Sequence, residues 1–363
     1  MAGKNNFTQD KNFFILNAMD DWVRIVDKDG KTIFINDAFE KESQKSTELF
    51  NYIEENSAII LPTRNKDMKN TTMIEERLID ERYFSIKTSP IYNGDEFLGI
   101  VEVYRDITRE SLMKIELFNT NRAMLDDVRF VKKIQSNILP KNKSYGKISL
   151  KSIYLASDDL SGDFFDVIRI DDDKYALYIA DIMGHGVKAS IMTMFIKVTM
   201  GAILDKHPDY SPSEILFKLR DNFQALGMES SQYLTAWLGI FDFADDSLTF
   251  SNAGHNCPPL LYSIREDKVD YLLASGRMIS NIIEPDNYDE KKVKLTSGDR
   301  LLLFSDGAIE AKNESRKEYG LERLKEIFTN YHDLDLTYED IKMFTWGKQE
   351  DDISLVQVEY KEI

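Results

Sequence analysis

Residues 110–139 contain neither glycine nor proline, and Pro140 closes the run. Within it Leu117, Asn121, Met124, Val128, Val131, Gln135 and Ile138 recur at alternating spacings of four and three, the heptad stripe of a single helix. The patterns before and after this run differ from it, so a helical linker separates two folding units. The stripe suits an ordinary packed helix or a short coiled coil. Asn121 and Gln135 on it favour a dimer contact, because polar seam residues are tolerated where they fix register. A chain of 363 residues, 42% hydrophobic and 11% aromatic, is long enough for two cores and too apolar for extended disorder.

Both flanking blocks predict α+β folds. In the first, residues 8–109, Val23–Val26 and Thr32–Ile35 alternate around the turn Asp27-Lys-Asp-Gly30, a hairpin signal in which Gly30 supplies the positive φ. A second hairpin joins Tyr83–Thr88 to Phe97–Tyr104 through Asn93-Gly94. In the last block, residues 145–361, strands are expected over 164–170, 175–182, 235–243, 247–252, 259–264, 269–273, 291–295, 300–304 and 353–360. Two helices are expected over 187–204 and 212–226, the second opened by Ser211 before Pro212.

Asp and Glu outnumber Lys and Arg by 63 to 46, a net charge of −17 that repels nucleic-acid phosphates and anionic lipid. Cys257 is the only cysteine and the histidines are 185, 207, 255 and 332, so neither a disulfide framework nor a clustered zinc site is expected. The first ten residues lack the apolar stretch of a signal peptide, and no run approaches the ~20 apolar residues of a membrane span. A reducing, cytoplasmic compartment is the expectation, with no membrane and no nucleic-acid partner.

Acidic residues recur where strands stop. Alternation places Tyr175, Leu177, Ile179 and Asp181 on one strand face, so a carboxylate ends an apolar row just before Gly184-His185-Gly186. Arg300–Phe304 likewise runs into Ser305-Asp306-Gly307, Ser161-Gly162-Asp163 precedes another strand, and Asp351-Asp352 precedes the last. Any one of these alone reads as a solvated turn. Together, beside glycines that allow close backbone approach, they suit hard cations held by oxygen ligands, Mg²⁺ or Mn²⁺ rather than Zn²⁺. Cys257 reads as a small packed side chain.

The segments Ala156–Asp166, Ala180–Ala189, Asn252–Pro259, Phe304–Glu310 and Asp351–Val356, in that order, resemble the bacterial SpoIIE-type branch of the PPM metal-dependent serine/threonine phosphatases. The resemblance implies an α-β-β-α sandwich with two Mn²⁺ or Mg²⁺ ions at one end. It places their ligands on Asp163, Asp181, the carbonyl of Ile182, Asp306 and Asp351, with Asp352 the second choice of the final pair. Asp181 and Asp306 would act through the metals, Asp181 as the bridge, and His185 is a candidate acid. The implied chemistry is in-line attack of a metal-activated water on phosphoserine or phosphothreonine, without a phosphoenzyme. Two departures stand out: Ser161 replaces the first glycine of a Gly-Gly-Asp, and Gly276–Ile282 replaces a Pro-Leu-Gly-like segment.

The first block resembles a PAS sensor domain, from Asn12–Asn17 through Asp27–Gly30 and Asn36–Phe39 to Tyr104-Arg-Asp-Ile-Thr108. No His or Cys occurs before His185, so histidine-ligated haem and a cysteinyl-flavin adduct are excluded there, and the ligand of this domain is left open. Asn93-Gly-Asp-Glu-Phe97 resembles a nucleotide-cyclase signature but lies in a hairpin. Proteins of this PAS–linker–phosphatase layout act on anti-sigma-factor antagonists, so a phosphorylated STAS-type protein is the implied substrate, with a homodimer joined at the linker. The rival reading is an inactive adaptor that binds the same partner.

Overall fold

The structure, a computed structural model, describes residues 11–45, 53, 72–157, 160–184, 186–229, 231–283 and 287–361, with the side chains of 11–13 left aside. The chain divides into two units, Met1–Ala123 and Met124–Ile363.

In the first unit both expected hairpins form. Helix α1 (Lys11–Asn17) precedes β1 (Trp22–Asp27) and β2 (Thr32–Ile35), then come α2 (Asp37–Ser43), β3 (Met73–Ile79), β4 (Arg82–Asn93) and β5 (Glu96–Asp106). They build one antiparallel sheet in the order β2-β1-β5-β4-β3. Asn36 fixes the corner after β2: its side-chain oxygen accepts from the Val23 and Phe39 backbone N–H groups, and its amide donates to the Asp21 carbonyl. One sheet face packs Trp22, Phe84, Ile86 and Tyr104 against Phe39.

Helix α3 (Thr108–Ile138) realises the glycine- and proline-free run, and the division between the units falls within it. Leu117 and Met124 of the stripe are exposed, at 61% and 62%, whereas Gln135 is buried.

The second unit is a four-layer sandwich. Strands β6 (Ser144–Tyr145), β7 (Ile148–Leu155), β8 (Asp163–Arg169) and β9 (Lys174–Ile182) lead into α4 (Gly186–Lys206) and α5 (Pro212–Ala225). Next follow β10 (Tyr233–Asp242), β11 (Ser247–Ala253), β12 (Leu260–Ser263), β13 (Lys268–Tyr271), β14 (Ile279–Ser280), β15 (Glu290–Lys294) and β16 (Arg300–Phe304). The chain ends with α6 (Asp306–Ile309), α7 (Leu321–Tyr331), α8 (Leu334–Phe344) and β17 (Ile353–Tyr360). One sheet runs β15-β11-β10-β9-β8 and the other β13-β12-β16-β17-β7-β6.

The central strands β8, β9, β10, β16 and β17 bury both faces, which explains their nearly continuous apolar sequences. On β9, Ala176, Tyr178, Ala180 and Ile182 meet Met192, Ile196 and Leu216 from α4 and α5. The alternate residues Leu177 and Ile179 face Leu303, Val356 and Val358 of the other sheet. Leu302, Phe304 and Leu355 pack outward on Leu324, Phe328 and Ile341 of α7 and α8, two helices beyond the strand-and-turn expectation.

Among the described residues, helix α4 is the one long and apolar enough to cross a membrane by length and composition. Its scattered polar residues, Lys188 and Lys197 among them, break a strict apolar run. Here Met192, Ile196, Met200, Ile203 and Leu204 make it the covering helix of the first sheet.

Candidate metal centre

The antiparallel register of β8 and β9 sets Asp163 opposite Asp181. Phe165, Val167, Leu177 and Ile179, two and four residues along the same strands, all lie in the inter-sheet core, so the two carboxylates share that face at one end of the sandwich. From the other sheet, Asp306 opens α6 at the end of β16, and Asp351 and Asp352 precede β17.

Asp163 is 3% exposed. Its Oδ2 accepts from Ser354 Oγ at 2.8 Å across the sheets, and its backbone N–H donates to Ser161 Oγ at 3.0 Å. Burial, and then the Asp181 charge, push its carboxyl well above the usual range. Asp181 is pushed up to about 7, first by burial and then by the charges of Asp306, Asp351 and Asp352. Burial and the Asp351 charge raise Asp306 as well. Carboxylates from both sheets thus repel one another in a low-dielectric corner, and a bound cation would relieve that repulsion.

The final pair splits into different tasks. Asp352 Oδ1 accepts from the Ser157 N–H at 2.7 Å and from Ser157 Oγ at 2.8 Å, and its Oδ2 accepts from the Gly162 N–H at 3.1 Å. It therefore ties down the loop that leads to Asp163. Asp351 is exposed, and its Oδ1 accepts one bond, from the Asp352 N–H at 2.8 Å. That leaves Asp351 the better donor to an ion. Gly162 lies against the Ile182 carbonyl so closely that a Cβ there would sit 2.7 Å from that oxygen and 3.0 Å from the Gly184 carbonyl.

Among the described residues, no three or more His, Cys, Asp and Glu side chains stand close enough together to hold a metal ion between them. What the corner does gather is an all-oxygen donor set, which fits a hard divalent cation such as Mn²⁺ or Mg²⁺ and not Zn²⁺. His185 lies outside the described residues. His255 is buried with both ring nitrogens engaged, and burial pushes it down to about 4, so it is neutral near pH 7 and no general acid. Cys257 is buried, its thiol pushed up by burial and by the Asp306 charge, which makes it inert packing.

One supporting residue carried a sequence signal that pointed to a different role. Gln135 Nε2 donates to the Ser161 carbonyl at 2.7 Å and to Thr193 Oγ1 at 3.4 Å, while its Oε1 accepts from the Ser161 N–H at 3.3 Å. The heptad reading placed Gln135 on a dimer seam; the packing of α3 turns it onto the Asp163 loop instead. Part of the divergent segment Gly276–Ile282 becomes β14, which pairs with Tyr233 and Leu234. Those residues adjoin Thr235, the ladder partner of Asp181.

The family model described as stage II sporulation protein E (SpoIIE) matches residues 171–361. The phosphoserine phosphatase RsbP of Bacillus subtilis is 28% identical over 201 residues, covering 53% of this chain and 46% of RsbP. The phosphoserine phosphatase RsbU of the same organism is 21% identical over 300 residues, covering 79% and 85%. The chain thus spans less than half the length of RsbP and most of RsbU. Among solved structures, the SiaA-PP2C domain of Pseudomonas aeruginosa superposes with a TM-score of 0.58 at 20% identity, over 67% of this chain and 99% of that one. The PP2C phosphatase domain of Bacillus subtilis SpoIIE with a fragment of its regulatory domain gives 0.51 at 18% identity, over 88% and 90%. The sandwich is a PP2C-type fold.

Proposed function

This chain belongs to the SpoIIE family, and from that premise we propose that it is a metal-dependent protein phosphatase acting on phosphoserine or phosphothreonine. The observation that carries the reading is the set of carboxylates at the strand ends of both sheets, with the Asp181 carboxyl pushed up to about 7 by burial and then by its acidic neighbours. Asp163, Asp181, the Ile182 carbonyl, Asp306 and Asp351 would hold two Mn²⁺ or Mg²⁺ ions. Bound there, such ions supply an acidified water and charge neutralisation for phosphoryl transfer. Ser354 orients Asp163, Asp352 holds the loop before it, and Gln135 braces that loop from α3. His185, between Gly184 and Gly186, is retained as a candidate acid.

The substrate proposed is a phosphorylated STAS-type anti-sigma-factor antagonist, and the protein is proposed to act in the cytoplasm; that RsbP and RsbU are phosphoserine phosphatases supports a phosphoserine substrate. The first unit is proposed to be a PAS sensor, supported by the sheet order β2-β1-β5-β4-β3, and to signal through a dimer formed along α3. The exposed Leu117 and Met124 support that contact.

The test is release of phosphate from a phosphorylated STAS-type protein, and of p-nitrophenol from p-nitrophenyl phosphate, with and without Mn²⁺. Turnover that persists in excess chelator refutes the metal mechanism. Tight binding of the phosphoprotein without turnover at any Mn²⁺ level favours the adaptor reading instead.

A further inference from the structure

His255 stands where the two sheets must be held in register. The turn that carries it is over-determined: its N–H donates to Asn252 Oδ1 at 2.9 Å, and Asn252 Nδ2 donates to the His255 carbonyl at 3.1 Å and to the Ala274 carbonyl at 3.2 Å. Gly254 has φ +76°, and a Cβ there would meet the Met278 backbone nitrogen at 2.5 Å. The imidazole is consequently fixed rather than free to choose a partner. Its Nε2 lies 3.2 Å from the Phe304 carbonyl and its Nδ1 lies 3.4 Å from Thr235 Oγ1. A carbonyl only accepts, so Nε2 carries the proton, and Nδ1 accepts from the Thr235 hydroxyl.

These two partners lead to opposite walls of the candidate centre. Thr235 is the ladder partner of Asp181 on the first sheet, and Phe304 ends β16 of the second sheet two residues before Asp306. We infer that His255 is a positioning residue that ties the Asp181 ladder to the Asp306 strand end and thereby sets the span across which cations are held. The inference rests on the phosphatase reading above and adds to it a residue that touches neither ion nor substrate. The physical reason is that ligand carboxylates on separate sheets bind an ion well only if their spacing is preset. Outer partners that orient ligands typically change metal affinity 10–100-fold when removed.

The test uses the full chain and Mn²⁺ alone, with free Mn²⁺ read by electron paramagnetic resonance and unfolding of the metal-free protein followed in parallel. His255→Ala is expected to weaken Mn²⁺ binding about 10–100-fold. Thr235→Val, which deletes only the hydroxyl donor, should weaken it in the same direction by less. His255→Gln keeps an amide donor for Phe304 and an acceptor for Thr235, and should recover much of the loss. A merely structural histidine would lower the unfolding temperature and leave Mn²⁺ affinity alone; that pattern in a folded His255→Ala overturns the inference. If His255→Ala does not fold, unchanged Mn²⁺ affinity in Thr235→Val overturns it equally. A wild-type chain that takes up no Mn²⁺ overturns the metal reading itself, and this inference with it.

Discussion

Replacing Asp181 by Asn should stabilise the metal-free protein while abolishing turnover. In the absence of cations, the Asp181 carboxyl rises from its ordinary 3.8 to about 7 because it is buried and faces Asp306, Asp351 and Asp352. At 1.36 kcal/mol per pH unit that rise is about 4 kcal/mol of folding free energy, and about 2 kcal/mol is a fair lower figure once screening by residual solvent is allowed. The folded state holds the proton more tightly than the unfolded chain. The penalty is therefore absent below about 3.8, grows as pH rises, and is complete above about 7. Asn removes the charge and the pH dependence together. Metal-free Asp181→Asn should unfold roughly 4–16 °C above wild type at pH 8, taking about 2–4 °C per kcal/mol for a domain of this size, with a much smaller gap at pH 5. Trp237, buried in the inter-sheet core, reports unfolding of the sandwich by fluorescence once Trp22 and Trp346 are replaced by Phe. Added Mn²⁺ should stabilise wild type and not the variant. A metal-free variant no more stable than wild type at pH 8, or one equally stabilised at pH 5 and pH 8, would refute the idea that these acids are held together against their mutual repulsion.

Asp306→Asn should likewise reduce turnover to background at moderate Mn²⁺ with the fold retained by circular dichroism; near-normal rates would remove Asp306 from the ligand set. Because His255 is pushed down to about 4 from 6.5, the unfolded chain protonates first, so its contribution of about 3 kcal/mol is present above pH 6.5 and lost as pH falls toward 4. The stability difference between wild type and His255→Gln, measured by denaturant at pH 7.5 and pH 4.5, should shrink by most of that amount, and a difference independent of pH contradicts the assignment. Leu117→Glu combined with Met124→Glu should convert a dimer to a monomer at micromolar concentration in sedimentation and alter the phosphatase rate. A wild-type chain that is already monomeric, or a variant that still dimerises and turns over as before, would leave α3 without a role in association.

The strand pattern, the placing of Asp181 at a strand end and the hard-cation chemistry of the acids were legible in the sequence because each depends on local periodicity. Period-2 alternation says which face a residue occupies, and Asp181 does share the inter-sheet face with Leu177 and Ile179. The oxygen-rich composition of the motifs names a class of cation whatever the packing. Periodicity cannot say which sheet lies opposite, nor at what offset. The contacts that organise the corner join residues far apart in the chain: Ser354 to Asp163, Asp352 to Ser157 and Gly162, and His255 to Phe304. The contacts to Asp163, Gly162 and Phe304 exist only because the two sheets stack in one register, and Asp352 meets Ser157 because β17 pairs with β7. Gln135 shows the same limit from the other side, since its heptad position is equally consistent with a second helix and with the Asp163 loop. Burial against Ser161 and Thr193 decided between them, because an amide shut away from water must find donors and acceptors, and that loop offered both.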